Sequence, residues 1–314
     1  MPPGCRCGNP RGDWSDPGHS WVVSVLPLLI AQHGGTASRA QILEITTPMG
    51  LRDALAAGEV MRHRRGVYGL PLDEQGAIAV RTGAVLSHRS AALHHGLPVL
   101  HAPEPPEAVV SRARSITVPD ELRLRFRTLG PGDVEGPATT PLRTVVDCAR
   151  DLPLPEALAV ADSALRSGLV TPRELTRATL PRTGRAAARR VLDLASAEAV
   201  NPFESGLRAL AVEADDRGWV AQVPITLRDG RTLHADVGDP VTRIALEADS
   251  HEFHKKREDV RTDCWRGNEM TLAGWVVLRF AWEHVMFNPD WVREVIALVV
   301  QQRGGVSRGS SRSA

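Results

Sequence analysis

The sequence predicts a mixed α/β protein in three parts, on three observations. At 314 residues the chain is longer than one ordinary domain. Residues 20–75 show three helical patterns followed by two short strands, whereas residues 201–303 alternate helices with strands that carry carboxylates. Residues 76–200, between them, combine short strands with helices. We therefore expect an N-terminal domain, an α/β middle region and a C-terminal α/β domain.

Residues 20–75 show the element order of a winged helix. Three helical segments come first, namely 22–32, a segment capped by Thr36 or Ser38 that extends through Ile45, and 48–57. A strand, a basic turn and a second strand follow over residues 59–71. Three helices and a basic hairpin together predict this small DNA-binding fold.

The arginines of this segment predict a contact with DNA. In a winged helix the third helix enters the major groove and the wing meets phosphate. The candidate DNA-binding residues are one arginine on the third helix and three in the wing: Arg52, Arg62, Arg64 and Arg65. Because the third helix carries few charges, a winged helix used only for protein contact is kept as the alternative.

Residues 76–200 show the weakest pattern. We expect a short helix over 87–95, two or three strands within 107–129, and helices over 142–166 and from 172 onward. Arg143 and Asp147 stand four residues apart and are interpreted as an ion pair on a helix surface. We assign no chemistry to this region, and the basic segment 182–190 is a candidate contact to a DNA backbone.

The C-terminal stretch places carboxylates on neighbouring strands. Asn201 caps a helix that ends at Gly218, and strands are expected over 222–227, 232–238 and 243–249, joined by short turns. Alternation puts Asp236 opposite Ala235 and Val237, and puts Glu247 and Asp249 opposite Ile244, Leu246 and Ala248. We therefore expect Asp236, Glu247 and Asp249 to converge on one polar face, where carboxylate oxygens suit Mg²⁺.

Three elements complete the C-terminal stretch. A helix over 256–273 ends at Gly274, a strand covers 275–280, and a last helix starts at residues 288–289. On the first of these helices, Asp259, Asp263 and Arg266 have the spacing of mutual salt bridges, which is our interpretation of them.

This element order, with acidic residues on the second and third strands, resembles the core of the PD-(D/E)XK nucleases. More closely, the run Leu246–His254, followed by Asp263, Arg266 and Gly274–Phe280, is similar to an uncharacterised bacterial family related to the very short patch repair endonuclease. The resemblance covers roughly residues 200–302. It implies a restriction-endonuclease-like C-terminal domain in a chain of the α/β class.

The resemblance also implies an activity and a set of site residues. It implies metal-dependent DNA cleavage, with Asp236 and Glu247 matching the metal ligands and Glu204 matching the acidic residue of the first helix. Mg²⁺ is the expected cofactor. The family-wide lysine after the second acidic residue is Asp249 here. Its water-activating role then falls to His251, His254 or the lysines at 255 and 256.

Two further segments resemble type IV antitoxins of the abortive-infection kind. Arg64–Tyr68 is similar to their N-terminal winged helix, and Thr140–Asp147 also resembles that family. This keeps a second function open, a non-catalytic DNA-binding transcriptional regulator that retains the nuclease fold after losing the lysine. Action on RNA is a third, weaker hypothesis.

Each candidate site residue also has an ordinary interpretation. Glu204 could complement the helix dipole, and Asp236 could cap the following turn. Glu247 and Asp249 could be a solvated strand face. His251 and His254 could be surface histidines.

Composition and charge restrict the partners. The chain has 38 basic and 37 acidic side chains, so affinity for DNA has to come from local basic patches. No apolar run approaches the roughly twenty residues that span a bilayer, and segment 21–31 lacks a basic leader and a cleavage site. We therefore expect a soluble, cytoplasmic protein with DNA and no membrane as partner. The oligomeric state stays open.

The cysteines and the two ends of the chain carry no expected site. Cys5, Cys7, Cys148 and Cys264 do not form two pairs at zinc-ligand spacing, so reduced thiols are expected. Residues 1–19 and 304–314 are rich in Gly, Ser, Arg and Pro. We expect both tails to be disordered.

Overall fold

The computed structural model describes residues 26, 30, 36–69, 74–112, 120–249 and 257–309. Over these residues the protein is a mixed α/β chain with three separate sheets, which confirms the expected class. It divides into two compact units, Met1–Pro71 and Leu72–Ala314. The middle region and the C-terminal stretch therefore lie in one unit. No helix in the described ranges combines the length and the apolarity needed to cross a bilayer.

The first unit contains a small antiparallel sheet and two fully described helices. Its elements are β1 (Thr36–Ser38), α1 (Arg39–Ile45), α2 (Pro48–Ala56), β2 (Met61–Arg64) and β3 (Val67–Gly69). The strand order is β1–β3–β2. The expected helices and hairpin are confirmed, and β1 is an additional strand. Of the expected helix over 22–32, Leu26 and Ile30 are described, and both are helical and buried.

Local capping explains where these helices begin. The Ser38 hydroxyl accepts a hydrogen bond from the Gln41 backbone N–H at 3.3 Å, and the Gln41 side chain accepts one from the Ser38 N–H at 2.8 Å. Thr47 caps α2 through the Gly50 N–H at 3.1 Å, directly before Pro48. Both helices pack their apolar faces into one cluster with Tyr68 of β3.

The middle region begins with a five-stranded sheet. Its strands are β4 (Val85–Leu86), β5 (Glu107–Ser111), β6 (Arg123–Arg127), β7 (Val134–Glu135) and β8 (Ala138–Thr139), in the order β6–β5–β4–β8–β7. The helices are α3 (Glu74–Thr82), α4 (His88–His94), α5 (Pro141–Asp151), α6 (Leu154–Arg166), α7 (Pro172–Arg177) and α8 (Arg185–Leu194). The main core lies among these helices and includes the fully buried Val145 and Leu158.

Buried ion pairs connect the sheet to the helices. Glu107 of β5 is fully buried and accepts hydrogen bonds from the Arg89 backbone N–H and Nε, both at 3.1 Å. Burial opposes the ionised form, yet the hydrogen bonds from Arg89 hold the pKa of Glu107 below its ordinary value. Arg143 and Asp147 form the expected ion pair at 2.8 Å. Asp147 is fully buried, however, so the expectation of a surface pair is wrong.

The C-terminal stretch forms a four-stranded sheet between helices. Its elements are α9 (Pro202–Ala214), β9 (Val220–Thr226), β10 (Thr232–Asp239), β11 (Ile244–Asp249), α10 (Arg257–Leu272), β12 (Val276–Ala281), α11 (Trp282–Phe287) and α12 (Pro289–Gly309). The strand order is β12–β11–β10–β9, with β11 and β12 parallel and the other pairs antiparallel. The expected order of helices and strands is confirmed, and α11 is an additional short helix.

Two apolar layers cover the two faces of this sheet. Leu246 packs in a cluster with Leu207 of α9 and Ile296 of α12, whereas Ala245 packs in a second cluster with Met270 of α10. Strand β11 therefore alternates as expected. By that alternation, Glu247 lies on the α10 side of the sheet.

Asp162 of α6 and Arg208 of α9 form a buried ion pair that joins the two parts of the second unit. Arg208 Nη2 donates to Asp162 Oδ2 at 2.9 Å and to Oδ1 at 3.1 Å. The Arg208 side chain is 4% exposed and the Asp162 side chain is 0% exposed. Arg208 Nη1 also donates to the Leu194 carbonyl at 2.8 Å, and the Ser196 N–H donates to Asp162 at 2.8 Å. Burial raises the pKa of Asp162 in spite of these partners.

We expect Asp162→Ala to lower the free energy of unfolding by about 3–5 kcal/mol, because it leaves the Arg208 charge buried without a partner. The double variant Asp162→Leu/Arg208→Met should recover most of that loss, since apolar side chains of similar volume remove both charges. Urea denaturation of each variant measures the effect. As a control, removing Arg190 from its exposed pair with Asp216 should change stability by less than about 1 kcal/mol. Equal losses in the single and double variants would contradict the assignment.

Candidate functional site

Asp236 lies within electrostatic reach of two other predicted carboxylates, Glu204 and Glu247. Glu204 is in the first turn of α9, Asp236 is in β10 and Glu247 is in β11. Burial raises the pKa of all three, and the Asp236 charge raises the pKa of Glu204 and of Glu247 further. The sheet and one helix N-terminus therefore concentrate negative charge in a partly buried place.

Glu204 contacts both the start of α9 and strand β9. Its backbone N–H donates to the capping Asn201 side chain at 3.0 Å, and its carboxylate accepts from the Val200 N–H at 2.9 Å. Asn201 Nδ2 also donates to Glu204 Oε1 at 2.8 Å, so the Glu204 side chain contacts both the capping residue and the residue before it. The same carboxylate accepts from Gln222 Nε2 at 3.0 Å, which ties it to β9. Glu204 thus caps α9 and also belongs to the carboxylate cluster.

Strand β10 is irregular at Asp236. Ala235 packs in the cluster on the α10 side of the sheet and Val237 in the cluster on the α9 side, so the expectation that both share one face is wrong. The irregularity has a physical reason. The Asp236 side-chain carboxylate accepts a hydrogen bond from the Ala248 N–H of β11 at 2.7 Å, in place of a backbone carbonyl of β10. Opposite, between the pairs Ala235–Val223 and Val237–Ala221, Gln222 has φ 51°, a left-handed conformation inside a strand.

One oxygen of Glu247 has no hydrogen-bond partner among the described residues. Its Oε1 is buried and accepts no hydrogen bond from the part of the chain that the structure describes. The other oxygen lies 3.6 Å from Arg266 Nη2 of α10. Burial, followed by repulsion from Asp236, raises the pKa of Glu247 to about 7. A buried carboxylate with an unused oxygen is costly for a purely structural residue.

Asp249 forms an ion pair with an arginine, so its carboxylate is not available to a metal ion. Arg279 Nη2 of β12 lies 2.9 Å from Asp249 Oδ2 and 3.5 Å from Asp263 of α10. Asp263 and Arg266 of α10 therefore reach across to side chains on the strands, and the expected salt bridges with Asp259 along the helix stay a prediction. Asp259 lies where side chains are not described.

Sequence reasoning missed three residues of this site: Gln222, Arg266 and Arg279. Arg279 could have been found as the charged residue of an otherwise apolar strand, in parallel register with Glu247. Nothing in the sequence marks Gln222. His251 and His254, together with the lysines at 255 and 256, lie outside the described residues.

The donor set suits Mg²⁺ with few protein ligands. Within the described ranges, no group of three or more His, Cys, Asp or Glu is arranged to bind a metal ion. Mg²⁺ commonly takes one or two carboxylates and completes its shell with waters and substrate phosphate. The Glu204 oxygens accept hydrogen bonds, and Asp249 is paired with arginine. Asp236 and Glu247 are the two carboxylates that fit such an ion, because the Glu247 Oε1 is unused and a cation would offset their repulsion.

Three of the four candidate arginines of the first unit are exposed. Arg52 lies on α2, Arg62 on β2, and Arg65 in the turn between β2 and β3, where Gly66 has φ 80°. The side chain of Arg64 lies outside the described part of the chain. The positions of the other three leave them accessible to a charged partner.

A buried Ser–His–Asp chain in the middle region is structural. His88 Nδ1 lies 2.9 Å from Ser87 Oγ, and His88 Nε2 lies 3.0 Å from Asp151 Oδ2. A nucleophilic serine has to meet a substrate. Ser87 and His88 are both 0% exposed, so no substrate can reach them. These contacts fix the start of α4 against α5.

Comparison with known proteins identifies relatives without a described activity. No family model matches the chain. Two proteins of Mycobacterium tuberculosis, "Uncharacterized protein MT2308" of strain CDC 1551 / Oshkosh and "Uncharacterized protein Rv2248" of strain ATCC 25618 / H37Rv, are each 31% identical over 163 residues. The match covers 51% of this chain and 60% of each relative.

One solved structure shows a weak likeness. It is titled "Crystal structure of RV2827C protein from Mycobacterium tuberculosis", and the match covers 65% of this chain and 84% of that one. The identity is 16% and the TM-score is 0.30. A superposition of that quality carries no argument about fold or function.

The raised pKa of Glu247 predicts a pH dependence of stability in the metal-free protein. Its pKa is raised from 4.5 to about 7, so between these values the folded chain binds more protons than the unfolded chain. The free energy of unfolding should therefore fall as pH rises through this window, by up to a few kcal/mol. Urea denaturation at pH 5 and pH 7.5 with a chelator present measures this.

The control for this pH dependence is Glu247→Gln, which cannot titrate. Its free energy of unfolding should fall less than that of the wild type over the same interval. Identical pH slopes in the two proteins would show that Glu247 is not the group responsible.

Proposed function

We propose that the chain is a Mg²⁺-dependent endonuclease that hydrolyses DNA phosphodiester bonds. In this proposal β9–β12 with α9, α10 and α12 form a restriction-endonuclease-like domain, and the first unit forms a winged helix that binds DNA. The observation that carries it is the buried group of Glu204, Asp236 and Glu247, with one Glu247 oxygen unused. Three buried carboxylates whose pKa values are raised by burial and by the Asp236 charge do not stabilise the fold, so a cationic ligand is the natural explanation.

In the proposed mechanism the chain's residues hold and orient the reacting groups. Asp236 and Glu247 would hold the ion, which when bound would activate a water and neutralise phosphate charge. Gln222 hydrogen-bonds to both Glu204 and Asp236 and so positions Asp236. Arg266 and Arg279, next to the carboxylates, are placed to donate hydrogen bonds to phosphate oxygens.

The missing lysine limits what these arginines can do. A guanidinium stays protonated at any pH of interest, so Arg266 and Arg279 stabilise negative charge but cannot take a proton from water. Proton removal is therefore assigned to Asp249 or to one of His251 and His254. These residues keep the catalytic roles that the sequence suggested, as part of the same proposal.

We expect Asp236→Asn and Glu247→Gln each to lower Mg²⁺-dependent cleavage of supercoiled plasmid at least about 100-fold, because either change removes a ligand of the ion. The matched control is Asp229→Asn in the exposed β9–β10 hairpin, which should cut at the wild-type rate. Thermal melting of each variant confirms that the fold is kept. Equal cleavage by all four proteins would rule out the carboxylate site.

The second candidate function is a non-catalytic, antitoxin-like DNA-binding regulator that retains the nuclease fold. The observation that favours it is the pairing of Asp249 with Arg279 and the approach of Arg266 to Glu247, which offset acidic charge without a metal. A wild-type protein that binds DNA but does not cleave it with Mg²⁺ or Mn²⁺ would make this the better account.

Both functions require the first unit to bind DNA. We expect Arg62→Gln/Arg65→Gln to weaken DNA binding and to flatten the slope of log Kd against log salt concentration by about 1–2, since each lost phosphate contact releases one fewer counterion. Arg81→Gln, an exposed arginine at the end of α3, is the control and should leave both unchanged. Fluorescence anisotropy with a labelled duplex at several salt concentrations measures them. An unchanged slope in the double variant would show that the wing does not meet phosphate.

A further inference from the structure

A cleft in the middle region is lined by an excess of arginine. It has a volume of about 990 Å³ and lies between α5, the end of β6, α7 and the segment that follows α7. Seven arginines and four carboxylates line it. None of these residues belongs to the carboxylate site of the C-terminal sheet. A cleft of this size is at the upper end of what small-molecule sites occupy.

One wall of the cleft is electrically compensated. Arg143 lies 2.7 Å from Asp133 and 2.8 Å from Asp147, and Arg150 lies 2.7 Å from Asp151 and 3.0 Å from Asp147. These side chains are mostly buried. Apart from Glu174, the carboxylates that line the cleft all form ion pairs within this wall.

The opposite wall carries uncompensated positive charge. Arg173, Arg177 and Arg182 are exposed and form no ion pair with the residues that the structure describes. Glu174, between the first two, accepts from the Thr171 N–H at 2.7 Å and so caps α7. Arg173 and Arg177 stand four residues apart on one helix face, about 6 Å along its axis. Their guanidinium groups can therefore bind the same anion.

The floor of the cleft is apolar. Leu142, Val146, Ala178 and Leu180 line it between the two walls. A cleft that combines an apolar floor with several guanidinium groups on one side suits a ligand with one apolar part and one highly anionic part. The volume exceeds what a chain of phosphates alone would fill.

We propose that this cleft binds a nucleoside polyphosphate, with the phosphates on Arg173, Arg177 and Arg182 and the nucleoside against the apolar floor. The site goes beyond the proposed nuclease function and does not depend on it. The paired wall supplies ordered guanidinium groups, and the other wall supplies net positive charge that attracts the phosphates.

The test is isothermal titration of the full chain with ATP, GTP, CTP and UTP, without divalent ions and with a chelator, so that the carboxylate site cannot hold a metal–nucleotide complex. We expect at least one nucleotide to bind, and Arg173→Gln/Arg177→Gln to weaken its binding at least tenfold. Arg189→Gln on α8, a partly exposed arginine that does not line the cleft, is the matched control. Glu247→Gln should bind the nucleotide as the wild type does, which separates this site from the proposed nuclease site.

Three results would overturn the proposal. The first is no binding of any nucleotide at millimolar concentration. The second is equal binding by the wild type and the Arg173/Arg177 variant. The third is inorganic tripolyphosphate binding as tightly as the best nucleotide, which would show that the floor does not contribute. A single-stranded oligonucleotide that binds where nucleotides do not, and loses affinity in the same variant, would instead assign the cleft to a nucleic-acid backbone.

Discussion

The buried pair of Asp162 and Arg208 is the constraint on which the arrangement of the second unit depends. It joins α6, in the helical core of the middle region, to α9, the helix that packs on the C-terminal sheet. Because the charges are removed from water, each carboxylate oxygen and most guanidinium donors need a fixed partner, and few geometries satisfy them. The same helix carries Glu204 one turn earlier. The pair that holds the unit together therefore also sets the position of one wall of the carboxylate site.

The carboxylate site departs from regular strand geometry where its charged residues lie. Gln222 adopts φ 51° inside β9, and Asp236 replaces a strand carbonyl as acceptor for Ala248. Gly238 keeps β9 close to β10, since a Cβ there would lie 2.4 Å from Val223 Cγ1. Unfavourable backbone conformations persist when surrounding contacts hold them, and they concentrate at functional sites. Here the strained backbone of β9 brings the Gln222 side chain to Glu204. On β10, the Asp236 side chain takes the place of a backbone acceptor in the hydrogen bonds between strands.

Arginine is used in two ways in this molecule. Arg89 is buried, and Arg143 and Arg150 are partly buried, beside carboxylates. They stabilise the middle region only as members of networks, because either charge alone would be unfavourable there. Arg173 and Arg177 are exposed and form no ion pair with the residues that the structure describes. The contrast separates structural charge from charge that remains available to a ligand. The net charge of the chain does not reveal this difference between the arginines, since the whole chain is close to neutral.

Local pattern determined most of the elements but little of the site's chemistry. The alternation of Ile244 to Asp249, the Asn201 cap and Gly274 after α10 fixed strands, a helix start and a helix end, because these depend on residues close in sequence. The sequence also placed Asp236 and Glu247 on adjacent strands. Only the tertiary structure decided that Asp249 pairs with Arg279, that Arg266 faces Glu247, and that Asp147 is buried beside a cleft. Those outcomes depend on residues far apart in the chain, whose distances follow from packing and not from periodicity.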